Sequence, residues 1–169
     1  AIVHAATAQF FFAVTICLAM FTSREWQRDP VERPLHDGGR LRRLCGVTTA
    51  LLYLQIIFGA VVRHTGERLD AHFVFAALVA VHIVLVVMRV SRNHGNVAQL
   101  TKPALLLLFL LALQIALGGA SYVAKFTTLW RLPVDLVVFI TTTHLAAGAL
   151  MLAASVALTL RSHRLTAPP

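Results

Sequence analysis

The sequence predicts an all-α fold: a polytopic membrane protein with five transmembrane helices, the last four forming an antiparallel bundle. Three observations predict it. The 169-residue chain is 58% hydrophobic and 13% charged, about half the charged fraction of an ordinary soluble domain. Cutting it at every Asp, Glu, Lys and Arg leaves five long uncharged runs: Ala1–Ser23, Leu44–Val62, Ala71–Met88, Pro103–Ala124 and Leu136–Leu160. They hold 23, 19, 18, 22 and 25 residues, where a helix needs roughly 20 to cross a hydrocarbon core. The basic residues also alternate by side. Eleven fall after the first, third and fifth runs and four after the second and fourth. The positive-inside rule places the eleven, and the C-terminus, in the cytoplasm; the membrane expected is a bacterial-type inner membrane. The net charge of +8 is therefore mostly topology. No aromatic residues are interleaved with a basic soluble face, as a nucleic-acid surface would have them.

Each element follows in order. The first run opens AIVHAATAQ, without the basic start and cleavage site of a signal peptide. Residues 1–23 read as the last helix of an N-terminal bundle lying upstream. Residues 24–43, REWQRDPVERPLHDGGRLRR, are the one long polar connection. Pro30, Pro34 and the Gly38–Gly39 pair argue against a continuous helix and for a cytoplasmic linker. Residues 44–169 then supply four spans with short connections, the pattern of an up-down-up-down bundle. Cys17 and Cys45 lie toward the cytoplasmic ends of spans and read as packing residues, not as a disulfide or a metal motif.

The bundle carries an internal echo. LYLQIIFGAVV (Leu52–Val62) and LALQIALGGAS (Leu111–Ser121) share Leu-Gln-Ile-x-x-Gly at an offset of 59. Each ends a span on the outer side, and each precedes a helix bearing a histidine. The two hairpins thus read as copies of one unit. Gly59, Gly118 and Gly119 would let helices approach closely, and Gln55 and Gln114 would hydrogen-bond between them.

Of eight histidines, His36, His94 and His163 fall in cytoplasmic loops or the tail and read as solvated. His4, His72, His82 and His144 lie within spans, where an imidazole is costly unless satisfied. His72 precedes Arg89 by 17 residues, His144 precedes Arg161 by 17, and His4 precedes Arg24 by 20. Their helices run in one direction, so the three rings share a depth near the outer leaflet. His82 lies ten residues beyond His72, about 15 Å deeper; it reads as an interior residue bonded to a neighbouring helix.

A membrane histidine is either a hydrogen-bonded interior ring or a ligand. Each outer histidine has a small residue one turn on (Ala8, Ala76 or Gly148), which leaves room for a flat macrocycle beside a neutral imidazole. Zinc is the weaker alternative, because no carboxylate or thiolate shares the depth. Arg63, His64 and Lys125 lie at the outer ends of the second and fourth spans. They are placed either to meet haem propionates or to snorkel at the interface.

Taken together, IVHAATAQ, LQIIFGAVVRHTG, DAHFVFA, LQIALGG followed by YVAKF, and TTTHLAAGA resemble the haem A synthase family (CtaA-type). The resemblance covers the whole chain, matching the fourth to eighth helices of an eight-helix family built as two four-helix halves. It implies that His72 and His144 are axial ligands of a haem b cofactor, and that His4 belongs to the substrate-haem half. The partner of His4, the family's glutamate and the other catalytic groups would lie upstream of Ala1. The family's paired outer-loop cysteines are absent from RHTGERLDA.

The implied reaction is oxidation of the C8 methyl of haem O to a formyl group by successive hydroxylations, giving haem A for cytochrome oxidase. Electrons would arrive through haem b from a ferredoxin-like donor or quinol, with haem O synthase or oxidase assembly factors as further partners beside the lipid bilayer. The rival readings are a b-type cytochrome oxidising quinol and a transporter without haem.

Overall fold

The computed structural model describes residues 1–28, 37–129 and 131–165. They form α1 (Ile2–Phe21), the single turn α2 (Arg24–Gln27), α3 (Gly38–Thr65), α4 (Leu69–Asn93), α5 (Ala98–Phe126) and α6 (Val134–Leu165). No strand occurs among the described residues. All but α2 are long and apolar enough to cross a bilayer. The chain is a multi-pass helical membrane protein. Its exterior carries large apolar side chains such as Phe11, Phe109, Ile115 and Phe139, which suits a surface solvated by lipid rather than water.

Short connections force successive helices back on one another. Gly66 ends α3 in the left-handed conformation, φ 74°, with its N–H on the Val62 carbonyl, and α4 starts three residues later. Arg68, capping α4, also has positive φ, at 63°. Asp37 at the start of α3 meets Arg89 near the end of α4, and Phe58 meets Phe75 with ring centroids 4.6 Å apart. Phe73 near the start of α4 meets Tyr122 near the end of α5. Gln99 near the start of α5 meets Arg161 near the end of α6. Successive helices therefore run in opposite directions.

Helix α3 packs against α4 and α6, and α5 packs against α4 and α6. Among the described residues α3 makes no packing contact with α5, nor α4 with α6. The four helices thus form a ring in which α4 and α6 face each other across the diagonal. Outside the ring, α1 lies against α3 and α6 and buries no residue completely. The Tyr53 hydroxyl donates to the Ala6 carbonyl, 3.0 Å, and Arg164 stacks over Trp26 of α2.

The packed core fills the part of the ring that holds the start of α3 and the α4–α5 turn. Leu41, Cys45 and Leu52 of α3 join Val79, Ile83, Val86 and Val90 of α4. Leu100, Leu107 and Leu110 of α5 and Met151, Leu152 and Leu158 of α6 complete it. Thr49 Oγ1 bonds both Ser155 Oγ (2.7 Å) and Thr159 Oγ1 (2.8 Å), a hydroxyl clasp that holds α3 to α6 where lipid offers no alternative partner. Pro103 inside α5 leaves the Gln99 carbonyl without its helical donor, and Arg161 Nη1 approaches that oxygen at 3.4 Å.

Two expectations are corrected here. The Gly38–Gly39 pair does not keep the chain out of helix, because α3 begins at Gly38. Arg89 grips Asp37 with two nitrogens, at 2.5 and 2.8 Å, and Asn93 adds a third bond at 2.8 Å. That anchor offsets the roughly 1 kcal/mol that each glycine costs a helix. His94 is not solvated: it is 2% exposed, since the short turn between α4 and α5 folds it inward. Pro30, Pro34 and His36 lie outside the described residues.

Candidate functional site

The third of the ring nearest the α3–α4 and α5–α6 connections is built differently. Beyond Leu52 the only buried residue of α3 is Ala60. Helix α4 buries nothing before Val79, α5 nothing after Leu111, and α6 nothing before Ala147. His72 and His144 stand in this region, on the diagonally opposed α4 and α6.

Each ring lies against a glycine of the preceding helix. A Cβ added to Gly59 would stand 3.3 Å from His72 Cε1, and one added to Gly118 would stand 3.1 Å from His144 Cε1. These are the corresponding glycines of the two LQI segments, so the sequence echo is also an echo in space. A third close approach involves Gly148, whose Cβ would sit 3.1 Å from Gln114 Nε2. The glycines let imidazole and amide groups lie directly on neighbouring backbones.

Polar atoms in this region are incompletely satisfied. Gln55 Nε2 stands 3.1 Å from His72 Nδ1 and 3.4 Å from its Nε2; the shorter contact is the hydrogen bond. Gln55 Oε1, Gln114 Oε1, Ser121 Oγ and His144 Nδ1 are all buried without a partner. Orphaned polar atoms are rare in native interiors and usually mark a water, ion or ligand site. Among the described residues the other such atoms are Gln9 Oε1 on α1 and both ring nitrogens of His94 in the α4–α5 turn.

The remaining predicted residues are placed as follows. Arg63 and His64 are exposed in the last turn of α3, and Lys125 in the last turn of α5. All three are at the same end of the ring as the histidine pair. His4 is exposed on α1, and no contact brings it to His72 or His144. His82 contradicts its expectation: Nδ1 bonds the Leu78 carbonyl of its own helix at 2.9 Å, not a neighbouring helix. Its ring turns back on α4 because the facing positions, Val79 and Ile83, already fill the core. Among the described residues no three His, Cys, Asp or Glu side chains converge; the site is a pair.

Sequence reasoning missed Ser121 and His94. Ser121 ends the second LQI segment, and the echo pointed at it through Val62, its counterpart at the same offset. His94 carried no such signal. Burial holds its imidazole below the usual histidine range, with Asp37 pulling the other way.

A neutral bis-imidazole pair can hold the iron of a planar macrocycle from both faces. The residues fit that group in kind: two imidazoles seated on corresponding glycines, unpartnered amide oxygens on the same helices, and cations at the adjoining helix ends. Comparison with family models, with curated proteins and with solved structures yields no match to this chain.

Proposed function

We propose that this chain is the haem-b-binding part of a haem A synthase, which oxidises the C8 methyl of haem O to a formyl group. The observation that carries this reading is that His72 and His144, on the diagonally opposed α4 and α6, are each seated on the corresponding glycine of a repeated segment. The resemblance of the IVHAATAQ, RHTG, DAHFVFA and TTTHLAAGA segments to that family supplies the reaction.

Bound between the two imidazoles, haem b supplies a one-electron carrier within the membrane. The chain does the rest. His72 and His144 would hold the iron as neutral ligands, Arg63, His64 and Lys125 would meet the propionates at the outer surface, and the packed core at the other end fixes the helix spacing. His4 on α1 belongs to the substrate-haem half, and the electron donor is ferredoxin-like or a quinol. The protein lies in a bacterial-type inner membrane with its C-terminus in the cytoplasm.

Haem extracted from cells carrying the complete gene tests the function. A synthase converts haem O to haem A. A Soret band without conversion indicates a b-type cytochrome, and no Soret band a transporter. For topology, a membrane-impermeant thiol reagent should label Thr65→Cys and spare Asn96→Cys; the reverse pattern would end the proposed orientation.

A further inference from the structure

Gln55 and Gln114 occupy the same place in the two LQI segments, one turn before Gly59 and Gly118. Gln55 is the only side chain hydrogen-bonded to the His72 ring among the described residues. Gln114 Oε1 and His144 Nδ1 are both buried and both unpartnered. Gln114 lies over Gly148, one turn from His144 on α6, while His144 lies over Gly118, one turn from Gln114 on α5. An unused acceptor and an unused ring nitrogen therefore sit on facing turns of two helices.

The chemistry of an imidazole ligand says what these amides do. A neutral ring binds iron through one nitrogen, while the other carries hydrogen and needs an acceptor. An amide can present either end. Turned with Nε2 toward the ring, as the Gln55 amide is placed at 3.1 Å from His72 Nδ1, it donates to Nδ1 and sends the ring hydrogen to Nε2, which blocks that nitrogen; the amide's two ends exchange by a half-turn. Turned with Oε1 toward the ring, it accepts the Nδ1 hydrogen and leaves the ring Nε2 free.

We propose that Gln55 and Gln114 are positioning residues that accept the Nδ1 hydrogens of His72 and His144, selecting the tautomer in which both Nε2 atoms are free to bind one iron-centred macrocycle. This deepens the haem reading and rests on it. The glycines make the arrangement achievable: Gly59 and Gly118 seat the rings, and Gly148 admits the Gln114 amide.

Redox titration and ferric EPR of the purified protein test the proposal, with Gln55→Leu, Gln55→Glu, Gln114→Leu and Gln114→Glu compared to the unaltered chain. Leucine removes the acceptor and should raise the midpoint potential of the haem. Glutamate accepts more strongly, makes the imidazole a better donor to iron, and should lower it. Opposite shifts from two side chains of near-equal size are the expected result, since a packing role would move both the same way or neither. Unchanged potentials, shifts of one sign, or loss of haem from the leucine and glutamate variants alike would overturn the proposal. The haem reading would still stand on the bis-histidine EPR signal of the unaltered protein; absence of that signal would overturn both.

Discussion

The two ends of the ring solve opposite problems with the same helices. The end holding the start of α3 and the α4–α5 turn is closed by large side chains at full burial, among them Leu41, Ile83, Leu107 and Leu158, and tied by the Thr49–Ser155–Thr159 clasp. The histidine end buries no large side chain and replaces packing with glycine contacts to His72, His144 and Gln114. Both ends hold buried polar atoms without partners, His94 at the first and Gln55, Gln114, Ser121 and His144 at the second. The difference shows that one end fixes the helix spacing by bulk, while the other brings side-chain rings and amides directly onto neighbouring backbones.

Enlarging a glycine at the histidine end should have the largest effect. Gly118→Leu drives a side chain into the space of the His144 ring, whose Cε1 would be 3.1 Å from the Cβ alone. Loss of the Soret band from purified protein is expected, with Gly118→Ala retaining part of it. Full haem content in Gly118→Leu would mean that the ring does not need its seat.

A cavity at the opposite end should act on stability instead. Leu107→Ala empties a fully buried position and should cost about 2 kcal/mol, near the low end for such truncations. An inserted but unpacked helix also lies in hydrocarbon, so mainly packing is lost. The check is the thermal midpoint in detergent, measured beside haem content per folded protein, which should not change. Equal haem loss in Leu107→Ala and Gly118→Leu would erase the distinction between the two ends.

The smallest effect concerns the anchor below the core. The Arg89 hydrogen bond holds Asp37 below the usual carboxylate range. A carboxyl group whose folded value is depressed contributes its stability above the unfolded value, roughly pH 4, and loses it as pH falls toward the folded one. Asp37→Asn should therefore lower stability by roughly 1 kcal/mol at pH 7 and flatten the acid limb of the stability profile. An unchanged profile would show that the α3 start is held by something else.

Much of this was legible in the sequence, for reasons that differ by residue. The five spans follow from uncharged length, which the bilayer dictates. The depth match of His72 and His144 follows from counting to Arg89 and Arg161, because helix rise is constant. Gln55 and Gly59 were flagged by the echo. What escaped depends on tertiary contact. The Asp37–Arg89 bridge joins residues 52 positions apart, so nothing local announces that α3 starts at two glycines. His94 looked solvated because it sits among Asn, Gly and Arg, yet the turn buries it. His82 looked interior because its span is apolar, while its bond returns to the Leu78 carbonyl. Periodicity reports depth well; it reports facing only when two helices are considered together.

The central claim is that His72 and His144 hold one haem between them, and ferric EPR and optical spectra of purified variants test it most directly. The unaltered protein should show a low-spin, six-coordinate b-type haem. His72→Ala and His144→Ala should each abolish that signal or convert it to high spin, whereas His82→Ala should leave it low-spin, since its ring lies about 15 Å away along α4. Haem lost from His82→Ala but retained in low-spin form by His72→Ala would contradict the account.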